Sequence, residues 1–213
     1  MKEYISEGVG AFILSMLMLL VKRWDVGEAS LLFSSVYGAA WAAVWLALPA
    51  AKGFNPILLL SDFLGRQTAE LPGFALYRVG AQVGGAVVGA LLAIFAIRCV
   101  GIVSGEGSYE SLFCTALLEG IGALVVSFVY LQMRTSDKEH LTAPVIGLAA
   151  FAAAAAVGAR IPALFNPALY LCLVLKGDLG WDGWAGLTVG ALVGTAAGAS
   201  LFLLGQPSRR GSL

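Results

Sequence analysis

The chain holds only two asparagines, Asn55 and Asn166, and each sits in the tripeptide Phe-Asn-Pro, 111 positions apart. Each is followed by a nine-residue apolar piece, Pro56–Leu64 and Pro167–Leu175. Asn is a strong N-cap and Pro is favoured at the first helical position, so both pieces are predicted as helices that begin at the proline. At about 1.5 Å per residue each reaches about 14 Å, roughly half a bilayer. Short Pro-opened apolar segments at corresponding places point to a transport site.

The surrounding sequence supplies the bilayer. The chain is 59% hydrophobic and 12% charged, with a mean hydropathy of +0.87, which leaves too little polar surface for a soluble domain. Apolar blocks such as Val9–Val21, Leu31–Ala51 and Val83–Ile97 approach the roughly 20 residues that a spanning helix needs. Six crossings are expected, at about residues 4–21, 30–50, 74–97, 112–133, 142–159 and 183–205. The connectors Lys22–Glu28, Arg98–Glu110, Arg134–His140 and Lys176–Asp182 are too short to fold on their own. The first block lacks a small-residue cleavage motif and is read as a retained helix, not a signal peptide.

Internal repetition ties the pieces together. Glu7-Gly-Val-Gly-Ala recurs as Glu119-Gly-Ile-Gly-Ala at an offset of 112, and Phe54-Asn55-Pro56 as Phe165-Asn166-Pro167 at 111. Gly85-Ala86-x-x-Gly89-Ala90 recurs as Gly194-Thr195-x-x-Gly198-Ala199 at 109. The reading is one transmembrane domain over residues 1–213, built from repeats at about 1–105 and 112–205. Three crossings per repeat is an odd number, so the second repeat is expected to be inverted. The two short helices then enter from opposite faces and meet near the midplane. Irregular backbone at that depth is tolerated only inside protein or along a wet cavity.

Other chemistries are excluded. Thirteen basic and thirteen acidic residues cancel, so no nucleic-acid partner is implied. Cys99, Cys114 and Cys172 lack metal spacing; they read as inert thiols, or as a Cys99–Cys114 pair across one loop. No nucleophile–base pair, metal cluster or phosphate loop occurs, which argues against an enzyme and against any cofactor or metal. Assigning the N-terminus inside puts eight basic residues inside (Lys52, Arg209 and Arg210 among them) against five outside, in line with the positive-inside tendency. Trp24, Trp181 and Trp184 then fall at one interface.

These residues resemble the aquaporin, or major intrinsic protein, family. The resemblance rests on Glu7 and Glu119, Ala81-Gln82-x-x-Gly85-Ala86, Ala143-Pro144 with Gly147, Asn55-Pro56-Ile57 and Asn166-Pro167-Ala168. The second motif keeps the family's Asn-Pro-Ala and the first departs from it at Ile57. The resemblance implies an all-α, right-handed bundle of six transmembrane helices with two re-entrant half-helices, surrounded by lipid and usually homotetrameric. It implies passage of water and small neutral solutes. Asn55 and Asn166 would offer amide donors to the solute, while the two half-helix dipoles repel cations and protons. Glu7 and Glu119 would anchor the half-helix loops by accepting from their backbone N–H groups.

The same resemblance places a selectivity filter at Tyr37, Ala154, Ala163 and Leu169. Members that pass mainly water usually carry Arg where Leu169 stands, so this filter should be wider, less polar and suited to glycerol-like solutes. Arg160 either swings into the mouth as a substitute cation or snorkels to the surface. His140 reads as a solvated connector residue in preference to a pH gate. The altered motif and missing arginine resemble the superaquaporin branch, whose members are often intracellular; plasma and endoplasmic-reticulum-like membranes both remain open. Two other readings stand beside the channel. One is a junction protein whose pore is shut by Tyr37, Trp41 and Leu169; the other is a weakly selective ion channel.

Overall fold

The computed structural model describes residues 1–22, 30–48, 51, 53–67, 72–99, 112–157 and 163–206. The connectors at 23–28 and 100–110, Trp24, Lys52, Arg160, Arg209, Arg210 and the Cys99 side chain lie outside the described residues. Eight α-helices follow one another: α1 Lys2–Lys22, α2 Ser30–Ala47, α3 Pro56–Leu64, α4 Pro72–Cys99, α5 Leu112–Arg134, α6 Thr142–Val157, α7 Pro167–Lys176 and α8 Trp181–Gly205. A short 3-10 turn, Glu139–Leu141, leads into α6.

Among the described residues, five stretches are long and apolar enough to cross a bilayer: α1, α4, α5, α8 and the run Glu139–Val157 that contains α6. The sixth bundle helix, α2, has 18 residues, or about 27 Å of rise, close to the thickness of the hydrocarbon core. The two short helices begin at the predicted prolines. Gly177 ends α7 in the left-handed conformation, φ 90°, with its N–H returning to Leu173 and Val174 carbonyls.

The packing has two matching halves. Helix α1 packs on α4 as α5 packs on α8, and α7 reaches α4 as α3 reaches α8. Helix α2 meets α6 across the centre, where Gly38 and Gly147, offset by 109, face each other. A Cβ on Gly38 would stand 2.4 Å from the Gly147 carbonyl oxygen, and one on Gly147 would stand 2.6 Å from that of Gly38.

The glycines shared by the repeats explain the tight α1–α4 and α5–α8 pairs. A Cβ on Gly85 would lie 2.0 Å from the Gly8 carbonyl oxygen, and one on Gly194 would lie 1.9 Å from that of Gly120. In lipid no hydrophobic effect drives helices together, so close backbone approach and van der Waals contact must do it. Gly85→Val should therefore lower the thermal unfolding midpoint in detergent, by an overpacking cost of about 1–3 kcal/mol. Gly80→Ala on the same helix, where a Cβ meets nothing within 4 Å, should leave the midpoint unchanged.

Candidate functional site

The site is the meeting point of the two short helices. Asn55, at φ −142°, caps α3 by accepting the Ile57 N–H at 3.1 Å. Asn166, at φ −147°, caps α7 by accepting the Ala168 N–H at 3.1 Å. The bonded group is a backbone N–H in both cases. The departure from Ala to Ile at position 57 therefore leaves the cap intact.

Each asparagine turns its amide nitrogen to the other half. Asn55 Nδ2 donates to the Phe165 carbonyl at 2.8 Å, and Asn166 Nδ2 donates to the Phe54 carbonyl at 3.1 Å. Those carbonyls point inward because Phe54 and Phe165 adopt left-handed backbone, φ 57° and 47°. Such a conformation costs a non-glycine residue about 1–3 kcal/mol and persists only where surroundings over-determine it. Here the rings are wedged on helix glycines: a Cβ on Gly10 or Gly122 would come within 2.0 Å of the Phe54 or Phe165 ring. An amide nitrogen carries two protons, so the crossed bond occupies one on each asparagine.

The anchoring of the two peptides differs between halves. The Phe54 N–H donates to Glu7 Oε2 at 3.0 Å, and Gln82 donates to the same oxygen at 2.9 Å. Arg78 lies 3.6 Å from Glu7 Oε1 and also pairs with Glu3. In the second half the Phe165 N–H donates at 2.9 Å to the Tyr170 hydroxyl. Glu119 is fully buried near the Phe165 amide. Neither of its oxygens reaches hydrogen-bond geometry with a described residue.

The expected filter residues Tyr37, Ala154, Ala163 and Leu169 are all buried in one cluster. Tyr37 is drawn to the loop between Ala163 and Phe165, where its hydroxyl donates to the Leu164 carbonyl. Leu169 sits in the first turn of α7, its N–H returning to the Asn166 carbonyl at 3.0 Å. Trp41 points inward and donates to the Gly53 carbonyl at 2.9 Å. Phe33, Tyr37, Trp41 and Trp45 recur every fourth residue; the first three form a ladder on α2, with ring centroids 6.2 Å and then 5.5 Å apart, while Trp45 meets Phe54 and Tyr130. That i, i+4 run of aromatics is visible in the sequence; only Tyr37 and Trp41 were singled out there.

At the lower end of the ladder lies a cavity of about 440 Å³, bordered by Trp45, Ala51, Tyr130, Arg134, His140 and Thr142. Beneath it the buried Asp62 accepts from the Tyr130 hydroxyl at 2.8 Å and lies 3.8 Å from Arg134 Nε. This acid on α3 was not marked from sequence. His140 is exposed on the cavity rim. Of the interfacial tryptophans, Trp181 is exposed, while Trp184 donates to the Pro167 carbonyl at 3.3 Å.

No family model and no curated protein sequence matches the chain. Among solved structures, the X-ray structure of the aquaglyceroporin from Plasmodium falciparum matches with a TM-score of 0.70 at 19% identity, over 95% of this chain and 93% of that one. The chain has the aquaporin fold. Within that fold the crossed asparagine bonds occupy the tips of the two half-helices.

Removing one tip should show how much it holds. Asn166→Ala strips the cap from Ala168 N–H and the donor from the Phe54 carbonyl, and leaves two buried polar groups unmet. The expected loss is about 2–4 kcal/mol, measured by denaturant unfolding of the purified protein in micelles.

Proposed function

We propose that the protein is a passive membrane channel for water and small uncharged solutes of glycerol size or less, working as a homotetramer with one lane per subunit. The observation that carries this reading is the reciprocal Asn55–Phe165 and Asn166–Phe54 exchange. It sets two helix N-termini and two amide groups against one another inside an apolar bundle. Each helix start contributes positive partial charge. Together they raise the energy of a cation or hydronium, while a neutral molecule with a hydroxyl oxygen is not repelled. The oppositely directed repeats at about 1–105 and 112–205 supply this symmetry.

Selectivity in this reading comes from Tyr37, Ala154, Ala163 and Leu169. One aromatic ring and three aliphatic groups carry no fixed charge, favouring solutes with carbon surface over ions and giving water few partners. Ion exclusion then rests on the helix dipoles. The altered Asn55-Pro56-Ile57 motif and Leu169 fit the superaquaporin-like branch and an intracellular membrane.

A second reading has its own support. Asn55 is 0% and Asn166 1% exposed, and Tyr37, Trp41 and Leu169 are equally buried, so solvent does not reach these side chains in this conformation. A permanently closed protein would serve as a structural or junctional membrane component.

Stopped-flow light scattering on proteoliposomes separates the readings. The channel reading expects water or glycerol flux above that of empty vesicles; a background rate for both would overturn it. If the Tyr37–Leu164 contact closes the lane, Tyr37→Ala should raise the rate several-fold over the parent protein. Leu169→Arg should lower the glycerol-to-water ratio on the order of tenfold, the discrimination that about 1.4 kcal/mol at a constriction provides. Planar-bilayer recordings should show no unitary current; steady cation conductance would favour the ion-channel alternative instead.

A further inference from the structure

The two halves of the bundle use the same backbone trick but different chemistry to hold it. Around Phe54 stand a carboxylate, Glu7, and two side-chain partners, the donor Gln82 and the cation Arg78 at 3.6 Å. The repeat offset of 109 that maps Gly85 onto Gly194 maps Gln82 onto Ala191 and Arg78 onto Leu187. Both replacements are apolar and fully buried. Glu119 keeps the carboxylate position, with apolar residues where Glu7 has its donor Gln82 and its cation Arg78. At the offset of 111, Tyr170 stands where the first half has Leu59, and its hydroxyl takes the Phe165 N–H.

We propose that Tyr170 is the positioning residue of the second half-helix, doing for the Phe165 peptide what Glu7 does for Phe54, and that Glu119 is dispensable for that task. The residue matters because its carbonyl, in the next peptide along, accepts the Asn55 amide at 2.8 Å. Holding the N–H fixes the Leu164–Phe165 peptide plane on one side of a left-handed residue, and so restrains the φ that aims the carbonyl on the other side. The Tyr170 side chain leaves α7 one turn past Asn166, so the hydroxyl also staples the helix start to the loop before it. A phenol does this without burying charge. A carboxylate lacking Arg or Gln beside it would bear the full desolvation penalty of an unpaired buried ion. The loss of the two partners and the gain of the hydroxyl therefore belong to one exchange.

The consequence for transport rests on the channel reading above, but the anchoring itself is measurable without flux. Full-length protein labelled with 15N-phenylalanine in lipid nanodiscs gives separate amide signals for Phe54 and Phe165. Tyr170→Phe should shift the Phe165 signal and speed its amide exchange at least tenfold, with Phe54 unchanged; Glu119→Gln should leave both as in the parent. Glu7→Gln should perturb Phe54 instead. Faster Phe165 exchange in Glu119→Gln, with Tyr170→Phe silent, would overturn the assignment. Should one of these two variants fail to fold, loss of Tyr170→Phe alone supports the proposal and loss of Glu119→Gln alone refutes it. Flux on the same samples distinguishes the two claims. A parent protein at background rate with the exchange pattern intact removes the channel reading and leaves the anchor standing. A conducting parent whose rate Tyr170→Phe leaves unchanged removes the anchor's role in transport alone.

Discussion

A backbone carbonyl or amide left unbonded in hydrocarbon costs several kcal/mol, and the two helix starts at the centre of this bundle are arranged against that cost. Two helices that stop halfway through a membrane expose their starts at the worst depth. The caps from Asn55 and Asn166 cover one N–H each, and the amide nitrogens cover the carbonyls of the opposing Phe residues. Those carbonyls are reachable because Phe54 and Phe165 accept left-handed backbone. The strain is in turn held by rings seated on Gly10 and Gly122. The repeated Gly-x-Gly after each glutamate and the repeated Phe-Asn-Pro are therefore parts of one device.

Much of this was legible in the residues. The prolines fixed where the short helices begin, the apolar runs placed the crossings, and the repeated glycines marked positions on α4 and α8 that prove to be close contacts with α1 and α5. These signals are local or periodic, so they survive without coordinates. What was hidden depends on where side chains point across the bundle. Equal spacing made Glu7 and Glu119 look alike, whereas their environments differ at positions 78, 82, 187 and 191, far from either glutamate in sequence. Asp62 carried no signal in the sequence, and it is buried where Tyr130 and Arg134 reach it from another helix.

The aromatic residues on α2 show how one helix face can serve both halves of the bundle. Tyr37 and Trp41 each satisfy a loop carbonyl, Leu164 and Gly53, one from each half. The same rings fill the space beside the asparagines. Breaking either bond leaves the ring without an acceptor and the carbonyl in need of another donor. Water and hydroxylated solutes can supply such a donor, whereas hydrocarbon cannot.

The crossed amide bonds also have a consequence for synthesis. A nascent chain that has delivered only its first three crossings carries Asn55 into the membrane before its acceptor, Phe165, exists, and the Phe54 carbonyl equally awaits Asn166. Neither half can complete its own centre during translation. The early half must keep its short helix near the watery side of the membrane, or be shielded by the insertion machinery, until the late half arrives and the two set like the halves of a clasp.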